Sequence, residues 1–220
     1  MKVLAFDTST QILSLCLVNG EEINLFETNQ GLRHAEMLLP AVSQLLDNAG
    51  MAPADLDLIV CSRGPGSFTG LRIGMTTSKG ISEGSGVPVV SVDTLDALAY
   101  PFPFYNGAVV PVIDARKSRF YAALYEDGHR KTEQLDCTAN DLLHLVRSHN
   151  RILLTGPGST QLLTYWDNER TGVDRVQGPL YGTGRALADL GSRMYHKDGP
   201  DSIEQGPLYI RKSDAEINRK

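Results

Sequence analysis

The chain has 220 residues, of which 41% are hydrophobic and 21% are charged, and its formal net charge is −5. This balance disfavours a protein that binds nucleic acid alone through a broad basic face, and no apolar run is long enough to span a bilayer. The sequence also lacks a secretory pattern at its N-terminus, and its three cysteines form no C-x-x-C pair, so we expect a cytoplasmic protein with no membrane partner.

Two similar series of elements follow one another along the chain. The first comprises predicted strands at 3–6, 12–18 and 22–26, a helix at 34–49, a strand at 56–61 and the motif Gly-Pro-Gly-Ser at 64–67. Asn19-Gly20 joins the second and third strands, which predicts a type I′ turn with positive φ at both residues. A second helix is predicted to begin at Ser67, whose hydroxyl is a good N-cap. A strand at 87–92 and a short helix ending at Ala99 complete this series.

The second series repeats that order with strands at 109–113 and 120–125, an Asp127-Gly128 turn, a helix at 139–146, a strand at 152–154 and Gly-Pro-Gly-Ser at 156–159. A helix at 186–195 and a short strand at 208–210 follow. These elements predict two α/β lobes with mixed sheets and a cleft between them. The proline- and aromatic-rich stretch 100–107 suggests the boundary, with an N-terminal lobe at 1–104 and a C-terminal lobe at 105–220 whose tail packs back on the first.

The run Arg-Gly-Pro-Gly-Ser-Phe-Thr-Gly-Leu-Arg-Ile-Gly at 63–74 is more specific than a generic turn. It resembles the signature of the bacterial TsaB family, also called YeaZ. Shorter stretches match the family in the same order, at 4–9, 34–40, 91–99, 114–126 and 207–216, and the resemblance is thinnest between 137 and 195. It implies the duplicated actin-like fold of sugar kinases and chaperone ATPases, with a mixed sheet in each of two lobes.

The resemblance also implies a function. TsaB proteins are non-catalytic scaffold subunits of the tRNA threonylcarbamoyladenosine modification complex. They bind and activate the catalytic paralogue TsaD, which transfers a threonylcarbamoyl group to the tRNA adenosine next to the anticodon, and the small ATPase TsaE binds them in turn. For this chain we therefore expect contact with tRNA only through the complex and self-association through the same helices. We expect no cofactor of its own, although a nucleotide can lie at the interface of the complex.

Several residues could belong to an ancestral nucleotide site. The polar run after the first strand, and the equivalent positions of the second series, correspond to the phosphate loops of the actin-like fold: Asp7, Thr8, Ser9, Asp114, Gly156 and Gly158. The alternative is a polar hairpin turn that has lost its ligand. The Gly-Pro-Gly-Ser loops match neither the Walker nor the Rossmann fingerprint.

Small residues recur on the second predicted helix at Gly70, Gly74 and Ser78, which makes a ridge without bulk. Either the helix at 34–49 packs on this ridge within the chain, or a partner helix does, and the resemblance favours the partner. The expected interface also takes residues beside the apolar stripe Leu38, Leu39, Val42, Leu45 and Leu46, which we assign to the core. It comprises Met37, Ala41, Gln44, Phe68, Gly70, Arg72, Gly74, Ser78 and Lys79.

The sequence also leaves two catalytic alternatives open. His34 and Glu36 could be part of a metallopeptidase site, but the remaining histidines form no pair at helical spacing, so we expect no metal site. The stronger rival is a small nucleotide-dependent phosphotransferase that uses the inter-lobe cleft, which Asp7 and the duplicated glycine loops favour. No combination of nucleophile and base stands out, and we therefore expect an accessory subunit rather than an enzyme.

Overall fold

The computed structural model describes residues 1–31, 33–166, 172–175 and 182–211. The chain divides into two compact units, Met1–Ala97 with Gly182–Leu208, and Leu98–Tyr181 with Tyr209–Lys220. This corrects the expected single boundary after residue 104. Residues 182–208 return to the first unit because a helix in this segment buries its apolar face on the first sheet. Within the described residues, no helix is both long and apolar enough to cross a membrane.

The first unit is built on a five-stranded sheet in the order β3-β2-β1-β4-β5. β1 pairs antiparallel with β2 and parallel with β4, which places the polar residues that follow β1 at the carboxyl end of the sheet. The elements of this unit are β1 (Lys2–Asp7), β2 (Leu13–Asn19), β3 (Glu22–Thr28), α1 (His34–Asn48), β4 (Leu58–Gly64), α2 (Phe68–Ser85), β5 (Val89–Asp93) and α3 (Thr94–Ala99), the last of which crosses into the second unit.

The β2–β3 turn differs from the sequence prediction. Asn19 still belongs to β2 and pairs with Glu22, so the two loop residues are Gly20 and Glu21. Gly20, at the first loop position, has φ +63°, as a type II′ turn requires. The predicted type I′ geometry occurs instead at Asp127-Gly128, where φ is +50° and +73°.

The packed face of α1 is rotated slightly from the predicted stripe. Its buried residues are His34, Leu38, Ala41, Val42, Leu45 and Leu46. Leu39, assigned to the core from the sequence, is 56% exposed. Ala41, assigned to the partner surface, is buried. The start of α2 agrees with the prediction, since the Ser67 hydroxyl accepts a hydrogen bond from the Gly70 N–H at 3.2 Å.

The second unit repeats the topology of the first. Its main path is β10-β7-β6-β11-β12, with the same sequence of antiparallel and parallel pairings. This repetition is the duplicated actin-like architecture expected from the sequence. Its elements, after the end of α3, are β6 (Ala108–Arg116), β7 (Arg119–Ala122), β8 (Tyr125–Glu126), β9 (His129–Arg130), β10 (Leu135–Thr138), α4 (Ala139–Leu145), β11 (Ile152–Thr155), α5 (Ser159–Tyr165) and β12 (Val173–Arg175).

The C-terminal part of the chain contains α6 (Gly184–Asp198), which belongs to the first unit. Gly184 and Gly191 face the sheet so closely that an added Cβ would lie 2.9 Å from the Leu15 carbonyl carbon and 2.5 Å from a Val60 methyl carbon, respectively. The strand predicted at 208–210 is absent, since these residues form no ladder. Leu208 makes one hydrogen bond instead, from its N–H to the Arg63 carbonyl at 2.7 Å. The family match at 215–216 lies outside the described residues.

Candidate functional site

Asp7 ends β1 and is almost completely buried, and both of its carboxylate oxygens have partners within the first unit. Oδ1 accepts hydrogen bonds from the Ser9 N–H at 2.7 Å and from Ser62 Oγ at 2.6 Å. Oδ2 accepts one from Thr183 Oγ1 at 2.6 Å. These donors compensate for the burial of a carboxylate.

The residues after Asp7 are held by α2. Thr8 Oγ1 donates a hydrogen bond to the Gly70 carbonyl at 2.7 Å, and the Ser67 N–H donates one to the Ser9 carbonyl at 2.6 Å. An added Cβ at Gly70 would overlap the Thr8 carbonyl, and one at Gly74 would overlap Thr8 Oγ1. The glycine ridge therefore lets α2 approach the segment that follows β1.

This packing corrects the interface predicted from the sequence. Gly70, Gly74 and Ser78 are buried within the first unit, as is Ala41 on α1. Gly70 and Gly74 face Thr8, and Ser78 Oγ lies 3.5 Å from Cys61 Sγ on β4. The small residues of α2 therefore allow close packing inside the chain. They face the segment after β1 and the sheet, whereas the intramolecular alternative predicted that α1 would pack on them. These four residues are unavailable to a partner in this structure.

The second Gly-Pro-Gly-Ser copy makes the equivalent approach in its own unit. Gly156 has φ +86°, and an added Cβ there would lie 2.7 Å from the Val112 carbonyl oxygen. The Gly158 N–H donates a hydrogen bond to the same oxygen at 2.9 Å. Both copies therefore pack a glycine loop against the end of the neighbouring parallel strand.

The two aspartates near the carboxyl ends of β1 and β6 differ in their surroundings. Asp114 is exposed, and its Oδ1 accepts a hydrogen bond from the Arg116 N–H at 2.7 Å, whereas Asp7 is buried among three donors. Ser9 is also buried, and its Oγ has no hydrogen-bond partner within the described part of the chain. Among the described residues, Ser9 Oγ is therefore a buried polar group of the expected nucleotide site whose hydrogen-bonding capacity is unused.

His34 and Glu36 point to different partners. His34 is buried at the start of α1, and its Nε2 lies 2.6 Å from the Thr10 carbonyl. Because a carbonyl can only accept, Nε2 carries the proton and donates. Glu36 pairs with Arg33 on the surface, at 2.7 Å. Residues 1–31, 33–166, 172–175 and 182–211 contain no group of three His, Cys, Asp or Glu side chains placed to hold a metal ion.

The outer faces of α1 and α2 retain the other predicted interface residues. Gln44 and Arg72 are exposed, and Met37, Phe68 and Lys79 are half-buried. The Arg72 guanidinium carbon lies 4.1 Å from the centroid of the Phe68 ring, a cation–π distance. Leu39 adds an exposed apolar side chain on α1. On α2, Gly80 and Gly84 have open space where a Cβ would stand.

The chain resembles proteins of one named group over nearly its whole length. The family model described as TsaD, tRNA N6-adenosine threonylcarbamoyltransferase, matches residues 29–160. The tRNA threonylcarbamoyladenosine biosynthesis protein TsaB of Haemophilus influenzae is 36% identical, with 96% of this chain and 94% of the relative aligned. The chain belongs to the TsaB family. The Bacillus subtilis TsaB is 29% identical over 98% of this chain and 96% of its own length.

The solved structure of YeaZ from Pseudomonas aeruginosa extends this TsaB comparison to the fold. It superposes with a TM-score of 0.79 at 26% identity, covering 95% of this chain and 99% of that one. The family signature at 63–74 is, in this TsaB-family chain, the end of β4, the glycine loop and the first part of α2. Its glycines place α2 on the segment that follows β1.

Three features of this TsaB-family structure were not found from the sequence. Thr183 reaches Asp7 across 176 residues of chain, and no local pattern links the two. Leu39 is exposed although it continues an apolar stripe. Asp201 covers the outer edge of β5, since its carboxylate accepts hydrogen bonds from the Ser91 N–H at 2.8 Å and from Ser91 Oγ at 2.5 Å.

A cavity of about 220 Å³ lies beside Asp201, with Met75 and Val87 in its lining.

Proposed function

We propose that this TsaB-family protein acts in tRNA threonylcarbamoyladenosine biosynthesis as a non-catalytic subunit that binds and activates the paralogue TsaD. The observation that supports the proposal is that residues of the ancestral phosphate loop form hydrogen bonds within the first unit. Asp7 is engaged by Ser9, Ser62 and Thr183, and Thr8 by Gly70. Groups that would position a nucleotide and its metal instead hold the first unit together. The chemistry then belongs to TsaD.

The proposed contact surface is the outer face of α1 and α2, defined by Met37, Leu39, Gln44, Phe68 and Arg72. An exposed leucine, a methionine and an arginine beside an aromatic ring suit the centre of a protein interface. Open space at Gly80 and Gly84 would let a partner helix approach the α2 backbone closely. This surface replaces the buried glycine ridge in the interface predicted from the sequence.

Calorimetric titration of the chain with TsaD from the same organism tests this surface. Leu39→Glu places a charge in the proposed contact, and we expect it to weaken binding by about tenfold or more, which corresponds to about 1.4 kcal/mol. Leu25→Glu is the matched control, because Leu25 on β3 is 57% exposed and Leu39 is 56% exposed. Equal affinities for both variants and the wild type would exclude this surface. Failure of the wild type to bind would reject the proposed function.

Two further partners belong to the same proposal. In the absence of TsaD, a second copy of the chain would occupy the α1–α2 surface, since a face built for a paralogue can take its own copy. TsaE would bind the assembled complex, and a nucleotide would be held at an interface of that complex rather than by this chain alone. Sedimentation of the wild type and Leu39→Glu tests self-association, and addition of TsaE to the preformed pair tests the order of assembly.

The phosphotransferase alternative has one observation in its favour. The Ser9 hydroxyl is buried without a partner among the described residues, beside the loop that binds phosphate in active members of the fold. A nucleotide could satisfy it. Under this alternative the chain alone binds and hydrolyses ATP, and Ser9→Ala reduces that binding. Under the scaffold proposal Ser9→Ala leaves TsaD binding unchanged.

A further inference from the structure

Three consecutive residues at the β6–β7 hairpin adopt left-handed backbone conformations without any glycine. Arg116, Lys117 and Ser118 have φ of +62°, +55° and +56°. Arg116 pairs with Arg119, so Lys117 and Ser118 are the two central residues of the turn. Positive φ at both of these positions is the mark of a type I′ turn, for which Asn-Gly is the favoured sequence. Side chains with a Cβ make this conformation costly.

Two other hairpins among the described residues place a glycine at the turn and so reduce this cost. Gly20 supplies the positive φ between β2 and β3, and Asp127-Gly128 supplies it between β8 and β9. At β6–β7 the chain instead keeps two cationic side chains where smaller residues would relieve the strain. Strained backbone that persists without a local structural need suggests a functional constraint on the side chains.

The charges around this hairpin, defined as residues 114–119, are mainly positive. Arg116 and Lys117 are exposed. Arg211 brings a third cation to the hairpin base, since its Nη2 donates to the Ala115 carbonyl at 2.9 Å. Asp114 is one carboxylate of the hairpin, and its Oδ1 accepts a hydrogen bond from the Arg116 backbone N–H. The Arg119 guanidinium is neutralised by Asp136 at 2.7 Å. Among the described residues around the hairpin, the four cationic side chains Arg116, Lys117, Arg119 and Arg211 outnumber the two carboxylates Asp114 and Asp136, on a chain whose net charge is −5.

An aromatic side chain stands beside these cations. Tyr165, at the end of α5, is 46% exposed, and its hydroxyl donates to Ser118 Oγ at 3.1 Å. Its ring packs edge-on against Phe120, with centroids 5.9 Å apart, which fixes its position. A fixed aromatic surface next to several cations is the combination that binds single-stranded RNA, through base stacking and phosphate contacts.

We propose that the 114–119 hairpin, with Arg211 and Tyr165, binds the phosphate backbone and one unstacked base of the tRNA substrate. This rests on the proposed function, which supplies the RNA, and deepens it by assigning this chain its own RNA contact. It departs from the expectation that the chain meets tRNA only through its partners. The anticodon loop of such a substrate has unpaired bases and lies beside the adenosine that the complex modifies, so it is the segment that we assign to this surface.

The test is titration of the chain–TsaD complex with an anticodon stem–loop RNA at several salt concentrations. Arg116→Gln/Lys117→Gln removes both exposed charges, and we expect RNA affinity to fall by about tenfold. The slope of log affinity against log salt should fall by about 0.7 for each phosphate that the variant no longer neutralises. Arg130→Gln/Lys131→Gln, which removes two exposed charges at the β8–β9 hairpin of the same unit, is the matched control and should leave both quantities unchanged.

Two more variants separate charge from backbone strain. Ser118→Gly relieves strain and keeps both cations, but it also removes the hydroxyl that accepts from Tyr165, so it should raise the melting temperature and weaken RNA binding less than Arg116→Gln/Lys117→Gln does. Lys117→Asn/Ser118→Gly installs the favoured turn but removes a cation, so it should raise the melting temperature while weakening RNA binding. A greater loss of RNA affinity in Ser118→Gly than in Arg116→Gln/Lys117→Gln would overturn the charge-based proposal. An acidic peptide that competes as well as the RNA would also overturn it, in favour of a protein partner.

Association with TsaD is measured first, without RNA, for every variant. Variants that bind TsaD normally and bind RNA like the wild type would overturn the hairpin proposal while the proposed function stands. If the wild type fails to bind TsaD, the proposed function fails, and the same RNA titration with the full chain alone decides the hairpin. An unchanged affinity and salt slope in Arg116→Gln/Lys117→Gln would then overturn it.

Discussion

Thr8 Oγ1 donates a hydrogen bond to the Gly70 carbonyl at 2.7 Å and fixes α2 against the segment that follows β1. One turn later, Gly74 leaves only enough space for that same threonine side chain. The family signature at 63–74 is therefore an internal packing device in this chain. Its glycines bring the polar end of β1 and the start of α2 into contact. The partner surface that we propose lies instead on the outer faces of the two helices.

Gly74→Ala should destabilise the first unit. The added methyl overlaps Thr8 Oγ1, so either the hydrogen bond to Gly70 or the helix position must change. We expect a loss of about 1–3 kcal/mol in the free energy of unfolding, measured by urea denaturation with intrinsic fluorescence and circular dichroism. Gly80→Ala is the control on the same helix. Nothing lies within 4 Å of its added Cβ, so that change should stabilise by about 0.5–1 kcal/mol.

Thr183→Val should also destabilise the first unit, through Asp7. The change preserves the shape of the side chain but removes the hydroxyl that donates a hydrogen bond to Asp7 Oδ2, at an oxygen–oxygen distance of 2.6 Å. A buried carboxylate oxygen left without its partner costs about 1–3 kcal/mol. Thr69→Val, at an exposed position on α2, makes the same chemical change without a buried partner and should stay within about 0.5 kcal/mol of the wild type. Equal stability of both variants would show that Asp7 does not depend on Thr183.

The three cysteines should be inert in the folded protein. Cys16, Cys61 and Cys137 are all buried, and burial raises the pKa of their thiols to about 11, 12 and 12, respectively. Thiolate is the reactive form, so little is available near neutral pH. A colourimetric disulfide reagent should modify all three only after unfolding. Rapid modification of the native protein would contradict this burial.

The same pKa shifts set an alkaline dependence of stability. A folded-state pKa above the unfolded value of 9.0 means that the folded chain retains protons that the unfolded chain loses. Stability is therefore fully present below pH 9 and decreases as pH rises towards 12, by at most about 1.4 kcal/mol per pH unit for each cysteine. Replacing Cys61 by alanine should make the fall above pH 9 less steep, as measured by urea denaturation across this range. An unchanged slope would contradict the assignment.

The sequence predicted the repeated topology because strands, helices and glycine loops recur in the same order. It could not fix the orientation of α1, since Leu39 and Ala41 lie on opposite borders of one apolar stripe and packing decides which is buried. The small residues Gly70 and Gly74 predict that another segment can approach α2 closely, but the sequence does not identify that segment. Thr183 is 176 residues from Asp7, and its role follows from the return of α6 to the first sheet.

The most direct test of the account is threonylcarbamoyl transfer to tRNA by TsaD, measured as the concentration of this chain is varied. We predict that activity depends on the chain and that Leu39→Glu raises the half-saturating concentration about tenfold or more without lowering the plateau. Under the scaffold proposal the chemistry belongs to TsaD, so the plateau should be unchanged, and Ser9→Ala should match the wild type throughout. A lower plateau with Ser9→Ala, or a curve for Leu39→Glu that coincides with the wild type, would contradict the scaffold account.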